Sequence, residues 1–315
     1  QVNNPEPGNT PKPENPGQEV TLPSEAAVFT LGTKKLALGM SETDVYTVLG
    51  SSSSQEIRTG KAPQGFDTIA FNTKDYSEYL LFYLKDSLVT GICGIGKTMN
   101  FSDAAAGENG NNLGSDWKNL SDYRTDSGKV GAKKSVVSDS ETAYAFYDAL
   151  GNNDIYCIQV FDQTKVKDAD NDMIFGSTGN LAYDAAVTSS IATEIGNMLN
   201  AFRAYCSVKC YYLNDSLAQC AQDYCDTITA NKIDPRNVKD LLNDIESYGV
   251  EPMNWGEVCY YDAADAISFV NSLIEMDSLY PMLVGTDAST WSYIGVGMAS
   301  NGKHTYLAID YVDEI

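Results

Sequence analysis

Two consecutive stretches of helical periodicity, joined by a short polar break, constrain this chain more than any other feature. In IATEIGNMLNAFRAYCSVKC, Ile191, Ile195, Met198, Leu199 and Phe202 recur at a spacing that puts them on one helical face. In DSLAQCAQDYCDTITANK, Leu217, Cys220, Ala221, Tyr224 and Ile228 repeat the pattern. Asn214 and Asp215 stand just ahead of the second run, where a short polar oxygen takes an N–H that the first turn leaves unpaired. Taken alone, the periodicity predicts a helical hairpin and nothing sharper.

Beyond this pair, helix and strand patterns alternate. A third helix is expected from Asn237 to Tyr248, with Val238, Leu241, Leu242 and Ile245 on one side and Gly249 as its stop. Glu257 to Tyr261 has strand character. Asp262 is placed to cap a fourth helix that turns Ala264, Ile267, Phe269, Val270 and Leu273 inward. Trp291–Ser300 and Lys303–Val312 form a closing hairpin across Asn301-Gly302, a type I′ turn signal.

The first half has a different texture. Residues 1–24, rich in Pro, Asn, Gly and Glu, lack the apolar surface to fold and are expected to be a disordered tether. From 25 to 165 the pattern is α+β. Leu36-Ala37-Leu38 is a short strand candidate. Ser41 and Asp44 then approach a capping box for a helix carrying Val45, Val48 and Leu49 and ending at Gly50. Strands are expected at 68–72, 79–85 and 87–95, with a turn at Lys85-Asp86-Ser87. "YLLFYLKDSLVTGICGI" (79–95) resembles "AYAFYDALGNNDIYCIQVF" (143–161), so this unit is expected to consist of two related halves. Cys93 and Cys157 fall at equivalent places in the two. Whether they bond or stay as matched buried thiols is open. Trp117 and Leu120 are anchors for a second short helix, and residues 166–189 form a connector.

Composition sets outer limits. At 315 residues the chain suggests two domains. Its 21 basic and 43 acidic residues give a formal charge of −22, which repels nucleic acid and anionic membranes. No apolar run is long enough to span a bilayer. The Pro-rich opening is what remains when a signal or lipoprotein segment is cut away, so the expected location is extracellular or attached to the cell surface. Seven cysteines leave at least one thiol unpaired or pairing between chains. Cys206 and Cys210, four apart, would sit one turn apart on a shared helix. Cys220 and Cys225 differ by about 140° around a helix and do not share a face.

The order NMLNAFRA…YYLNDSLAQCAQDY resembles the opening of the CAP superfamily, the cysteine-rich secretory, antigen 5 and pathogenesis-related proteins with an SCP domain. Gly256-Glu257 is similar to the family's GEN motif. Phe269-Val270-Asn271-Ser272 resembles its W-x-N-S helix, Ile294-Gly295-Val296-Gly297 its GVG strand, and Thr305–Val312 its closing strand. Upstream, "LGMSETDVYTVLG" followed by an aromatic hairpin resembles the CAP-associated N-terminal domain of exported Firmicutes proteins. The resemblance implies a three-layer α–β–α sandwich over 190–315, preceded by the α+β unit of two related halves.

The resemblance also implies a cleft with two histidines and two acids able to hold a divalent metal. This chain has one histidine, His304, on the turn before the last strand. Tyr224-Cys225 replaces the family's helix His-Ser. Ile233-Asp234-Pro235 and Leu273–Ser278 stand where cleft histidines are expected, and Val258 takes the Asn position of GEN. Histidine-based acid–base or metal chemistry is therefore excluded. Glu257, Asp234 and Glu275 remain as an all-carboxylate set that would favour Ca²⁺; no other cofactor is implied. The expected role is a non-catalytic surface module binding a glycan, peptide or lipid through Glu257, Asp234, Glu275, Tyr224, Tyr260 and Trp291, with Tyr261 and Tyr280 nearby. Two alternatives stay open: a carboxylate-based hydrolase of cell-wall glycan, and a calcium-dependent adhesion module.

Overall fold

The computed structural model of the chain describes residues 20–24, 26–120, 131–165, 182–231, 238–284, 291–302 and 304–313. The expected tether and connector fall largely outside these residues, and Asp234 falls wholly outside them.

A short hairpin of β1 (Phe29–Leu31) and β2 (Lys34–Leu36) leads into α1 (Glu42–Leu49). The capping box forms in both directions: Ser41 Oγ accepts from the Asp44 amide, and Asp44 Oδ2 accepts from the Ser41 amide. An antiparallel meander comes next, of β3 (Gln55–Ala62), β4 (Phe66–Thr73), β5 (Glu78–Lys85) and β6 (Leu88–Gly96). Asp86 and Ser87 both take positive φ, 53° and 60°, as a tight I′ turn between β5 and β6 demands.

The chain continues through β7 (Met99–Phe101), β8 (Ala104–Ala105), β9 (Lys118–Asn119), β10 (Ala132–Val136), β11 (Glu141–Tyr147) and β12 (Ile155–Asp162). No helix forms at Trp117–Leu120. The Trp117 indole donates to Asp103 at 2.7 Å, and the Leu120 amide donates to the Ala132 carbonyl, so the segment runs extended beside β10.

Eight strands make one sheet in the order β3-β4-β5-β6-β12-β11-β10-β9, and β2-β1-β7-β8 make a smaller one. The two hairpins related in sequence, β5–β6 and β11–β12, meet along a β6–β12 seam with Gly94 opposite Ile158. Both faces of the large sheet are covered, which is why its central strands are continuously apolar. Tyr79, Leu81 and Tyr83 face the core shared with the C-terminal half. Leu80, Phe82 and Leu84 face the core beneath α1 and the small sheet.

The C-terminal half begins with α2 (Ala185–Tyr205), capped by Asp184. Then come β13 (Tyr212–Leu213), α3 (Asp215–Asn231), α4 (Val238–Ser247), β14 (Trp255–Tyr261), α5 (Ala266–Ile274), α6 (Tyr280–Val284), β15 (Tyr293–Ser300) and β16 (Thr305–Val312). The sheet order is β13-β15-β16-β14, with β13 parallel to β15 and the other pairs antiparallel. α3 covers one face. It lies very close to β15, since a Cβ on Gly297 would stand 2.2 Å from the Gln222 nitrogen. α2 and α5 cover the other face, completing the three layers.

Three local expectations are corrected. Asp265, not Asp262, caps α5, with Oδ1 accepting from the Ser268 amide at 2.9 Å; Asp262 instead turns the chain at φ 62°. The β15–β16 ladder closes at Ser300–Thr305, so the connection has four residues rather than a two-residue I′ turn. α2 ends at Tyr205, and Ser207 takes φ 61°, so Cys206 and Cys210 do not share a helix.

α2 is shared by the two halves, whose buried side chains form one continuous core around it. On one flank it packs against β15, and on another against β3–β6. Its contact with the large sheet is polar as well as apolar. Arg58 forks onto the Glu194 carboxylate at 3.0 and 3.1 Å, and the Tyr79 hydroxyl donates to the same group at 2.9 Å.

Candidate functional site

β14 is an edge strand, so its side chains alternate between the α3 layer and the α2–α5 layer. Glu257 and Cys259 point toward α3. Glu257 is half-buried and pairs in register with Asp310 of β16. Directly opposed residues share a face, so Asp310 lies beside it, fully covered.

Cys259 packs against Tyr224 of α3, and the Glu257 carboxylate lies on the same face two residues back along β14. Burial, and then the Glu257 charge, push the Cys259 thiol pKa well up. Cys225, the next residue on α3, is buried and donates to the Gly297 carbonyl at 3.4 Å. Burial, with the Asp310 charge second, raises its thiol to about 12. The result is a compact patch of Tyr224, Cys259 and Glu257 with Cys225 and Asp310 behind it. Its thiols are held protonated, which suits hydrogen bonding and not nucleophilic attack.

The structure brings together two of the six residues singled out from sequence, Glu257 and Tyr224. Glu275 caps the end of α5, 1% exposed, on the far side of the sheet from Glu257. Its carboxylate occupies the space above Gly131, where a Cβ would come within 2.1 Å, and it helps burial raise the Tyr147 phenol pKa. Tyr260, one residue along β14 from Cys259, faces the opposite layer and meets the Phe269 ring edge-on at 5.2 Å. Trp291 packs on Tyr311 at 6.2 Å in that same layer. Strand alternation separates them from Glu257. Asp234 lies outside the described residues. Sequence reasoning missed Asp310 and Cys259; an acid inside the apolar strand Leu307–Val312 was the available signal.

His304 sits at the far end of the sheet, exposed, with Nδ1 3.0 Å from Asp262 Oδ1. Ser300 directs its hydroxyl to the His304 carbonyl at 3.0 Å and not to the ring. Among the described residues, no group of three or more His, Cys, Asp or Glu side chains is arranged to hold a metal ion. Cavities lie elsewhere. One of about 560 Å³ is lined by Lys97, Asp148, Asp154, Tyr205, Cys206 and Tyr280, where the N-terminal unit meets α2 and α6. There Asp148 accepts from Tyr280 at 2.6 Å, and burial raises its carboxyl pKa.

No protein-family model and no curated protein sequence matches the chain. Solved structures do match. A cysteine-rich secretory protein from Staphylococcus aureus superposes with a TM-score of 0.66 at 12% identity, over 88% of this chain and 91% of that one. An extracellular protein containing a SCP domain from Bacillus anthracis gives 0.66 at 12% identity, over 95% of this chain and 99% of the other. The fold is therefore that of these two bacterial proteins, along most of the chain. At this identity the likeness carries the architecture and not the chemistry.

Proposed function

We propose that this SCP-fold chain is exported and acts at the bacterial surface as a binding module without catalytic turnover. The observation that carries the reading is the make-up of the patch beneath α3. It offers a half-buried carboxylate, a tyrosine and two thiols held protonated, and no imidazole.

The geometry argues against the usual catalytic pairs. Asp310 stands beside Glu257 but is wholly covered, so the two do not flank a substrate bond as glycosidase carboxylates do. His304 lies beyond the end of β14, five residues from Glu257 through its partner Asp262. That is about 17 Å at the rise of a strand, far outside proton-transfer reach. What the surface does offer is contact area: Tyr261 is 46% exposed and rests edge-on against Tyr306 at 5.4 Å, next to Cys259 and Glu257. An exposed aromatic beside a carboxylate suits a glycan or peptide, with an apolar face for the ring and a polar anchor for orientation. Export is supported by the extracellular protein that shares the fold.

The test is cosedimentation with purified peptidoglycan together with mass spectrometry of the supernatant. Glu257→Gln and Tyr261→Ala are expected to weaken binding at unchanged melting temperature, with no soluble fragments from any form. Release of muropeptides by the parent chain, lost in Glu257→Gln, would replace the binding module with an enzyme.

A further inference from the structure

The β6–β12 seam carries two thiols. Cys93 on β6 stands opposite Gln159, and Cys157 on β12 stands opposite Ile95. All four side chains share one face of the sheet. The two sulfurs sit diagonally across the ladder, 3.6 Å apart, and both cysteines are fully buried. They occupy equivalent places in the two related hairpins, so the approximate two-fold symmetry of the seam is what brings them together.

We propose that Cys93 and Cys157 are a latent disulfide that closes this seam when the chain folds in oxidising surroundings. A disulfide bond is about 2.05 Å long, so the sulfurs must approach by roughly 1.5 Å. The chemistry is thiol–disulfide exchange with a small disulfide such as oxidised glutathione. The Cys93 thiol loses its proton, and the thiolate attacks one glutathione sulfur and expels the other as thiolate. Deprotonated Cys157 then attacks Cys93 Sγ in the mixed disulfide and expels the second glutathione. The two cysteines give up two electrons and two protons, and the oxidant takes them.

The timing is set by burial. In the folded sheet, burial and the hydrogen bond to Cys157 hold the Cys93 thiol protonated, and α2 covers the face it lies on. Exchange therefore belongs to the interval before β6 and β12 dock, after which neither oxidant nor reductant reaches the pair. The bond would join positions 64 residues apart and tie the two halves of the N-terminal unit.

The experiment is refolding of the full chain from urea in two buffers, one with mixed oxidised and reduced glutathione and one with reductant alone. The refolded protein is quenched with acid, its free thiols are alkylated with excess iodoacetamide in urea so that buried ones react, and peptides are mapped without reduction. The expected result in the oxidising buffer is a linked peptide pair containing Cys93 and Cys157, about 2 Da lighter than the two reduced peptides together. The oxidised protein is also expected to unfold at higher temperature than the reduced one, a difference that a Cys93→Ser, Cys157→Ser double variant abolishes. Natively refolded protein from the oxidising buffer with both cysteines alkylated would overturn the proposal. So would either of them cross-linked to another cysteine, such as Cys225 or Cys259. Should the double variant fail to fold, the map of the unmodified chain still decides.

Discussion

Asp265 holds α5 in place at an electrostatic cost that a single substitution should recover. The residue is 2% exposed. Its Oδ1 caps the helix, while Oδ2 has no hydrogen-bond partner among the described residues. Burial raises its pKa from 3.8 to about 6, against the opposing pull of the Ser268 and Ile267 amides. A shift of about two units corresponds to about 3 kcal/mol of differential stability. Because the folded state binds this proton more tightly than the unfolded state, stability from this group falls as pH rises from about 4 to about 6. Above that window the full cost is in place. Asp265→Asn keeps an equally good cap and removes the charge. Against the gain stands a new NH₂ group without an acceptor, costing about 1 kcal/mol. The variant should therefore be more stable than the parent by about 2 kcal/mol at pH 7, and no more stable, or slightly less, at pH 4. Urea denaturation at the two pH values measures both differences. A loss of stability at pH 7, or a gain of equal size at pH 4, would show that Asp265 is not a buried charge in the way argued.

Other substitutions test the packing on either side of the C-terminal sheet. Gly297→Ala puts a methyl 2.2 Å from the Gln222 nitrogen and 2.3 Å from the Ala221 carbonyl carbon of α3. The helix backbone must back away, and denaturant titration should show a loss of about 2–3 kcal/mol. Arg58→Ala strands the Glu194 carboxylate between α2 and the large sheet. The expected cost is about 3 kcal/mol, part of which Glu194→Gln should return in a double variant. With its thiol raised to about 12, native Cys225 should react with iodoacetamide at pH 8 about a thousandfold more slowly than in urea, as tracked by peptide mass spectrometry.

The local grammar of this chain was legible, and the partition of side chains between layers was not. The Ser41–Asp44 box, the amphipathic stripes of α2 and α3, and the β5–β6 turn each depend on residues within a few positions of one another. β3 escaped detection because QEIRTGKA lacks apolar alternation; its pairing with β4 and the Arg58–Glu194 bond fix it instead. Asp262 and Asp265 are equally good caps in sequence, and only the left-handed turn at Asp262 decides between them. For the site, Glu257 and Glu275 looked like neighbours because both flank short motifs. The sheet stands between them, since β14 turns Glu257 toward α3 while α5 carries Glu275 to the opposite layer. Spacing along a chain carries no information about which side of a sheet a later helix will cover.

The shared position of α2 bears on how this molecule presents its surface. The helix is 21 residues long, about 31 Å, and is a common wall between the two halves. Ser190, Glu194 and Asn197 on it are bonded to Lys61, Arg58 and Tyr76 of the N-terminal unit. If the proposed binding role holds, a ligand beside Glu257 is offered at a set angle to the N-terminal sheet, like a hand on a locked wrist, and any pull on it passes through that wall into the rest of the chain.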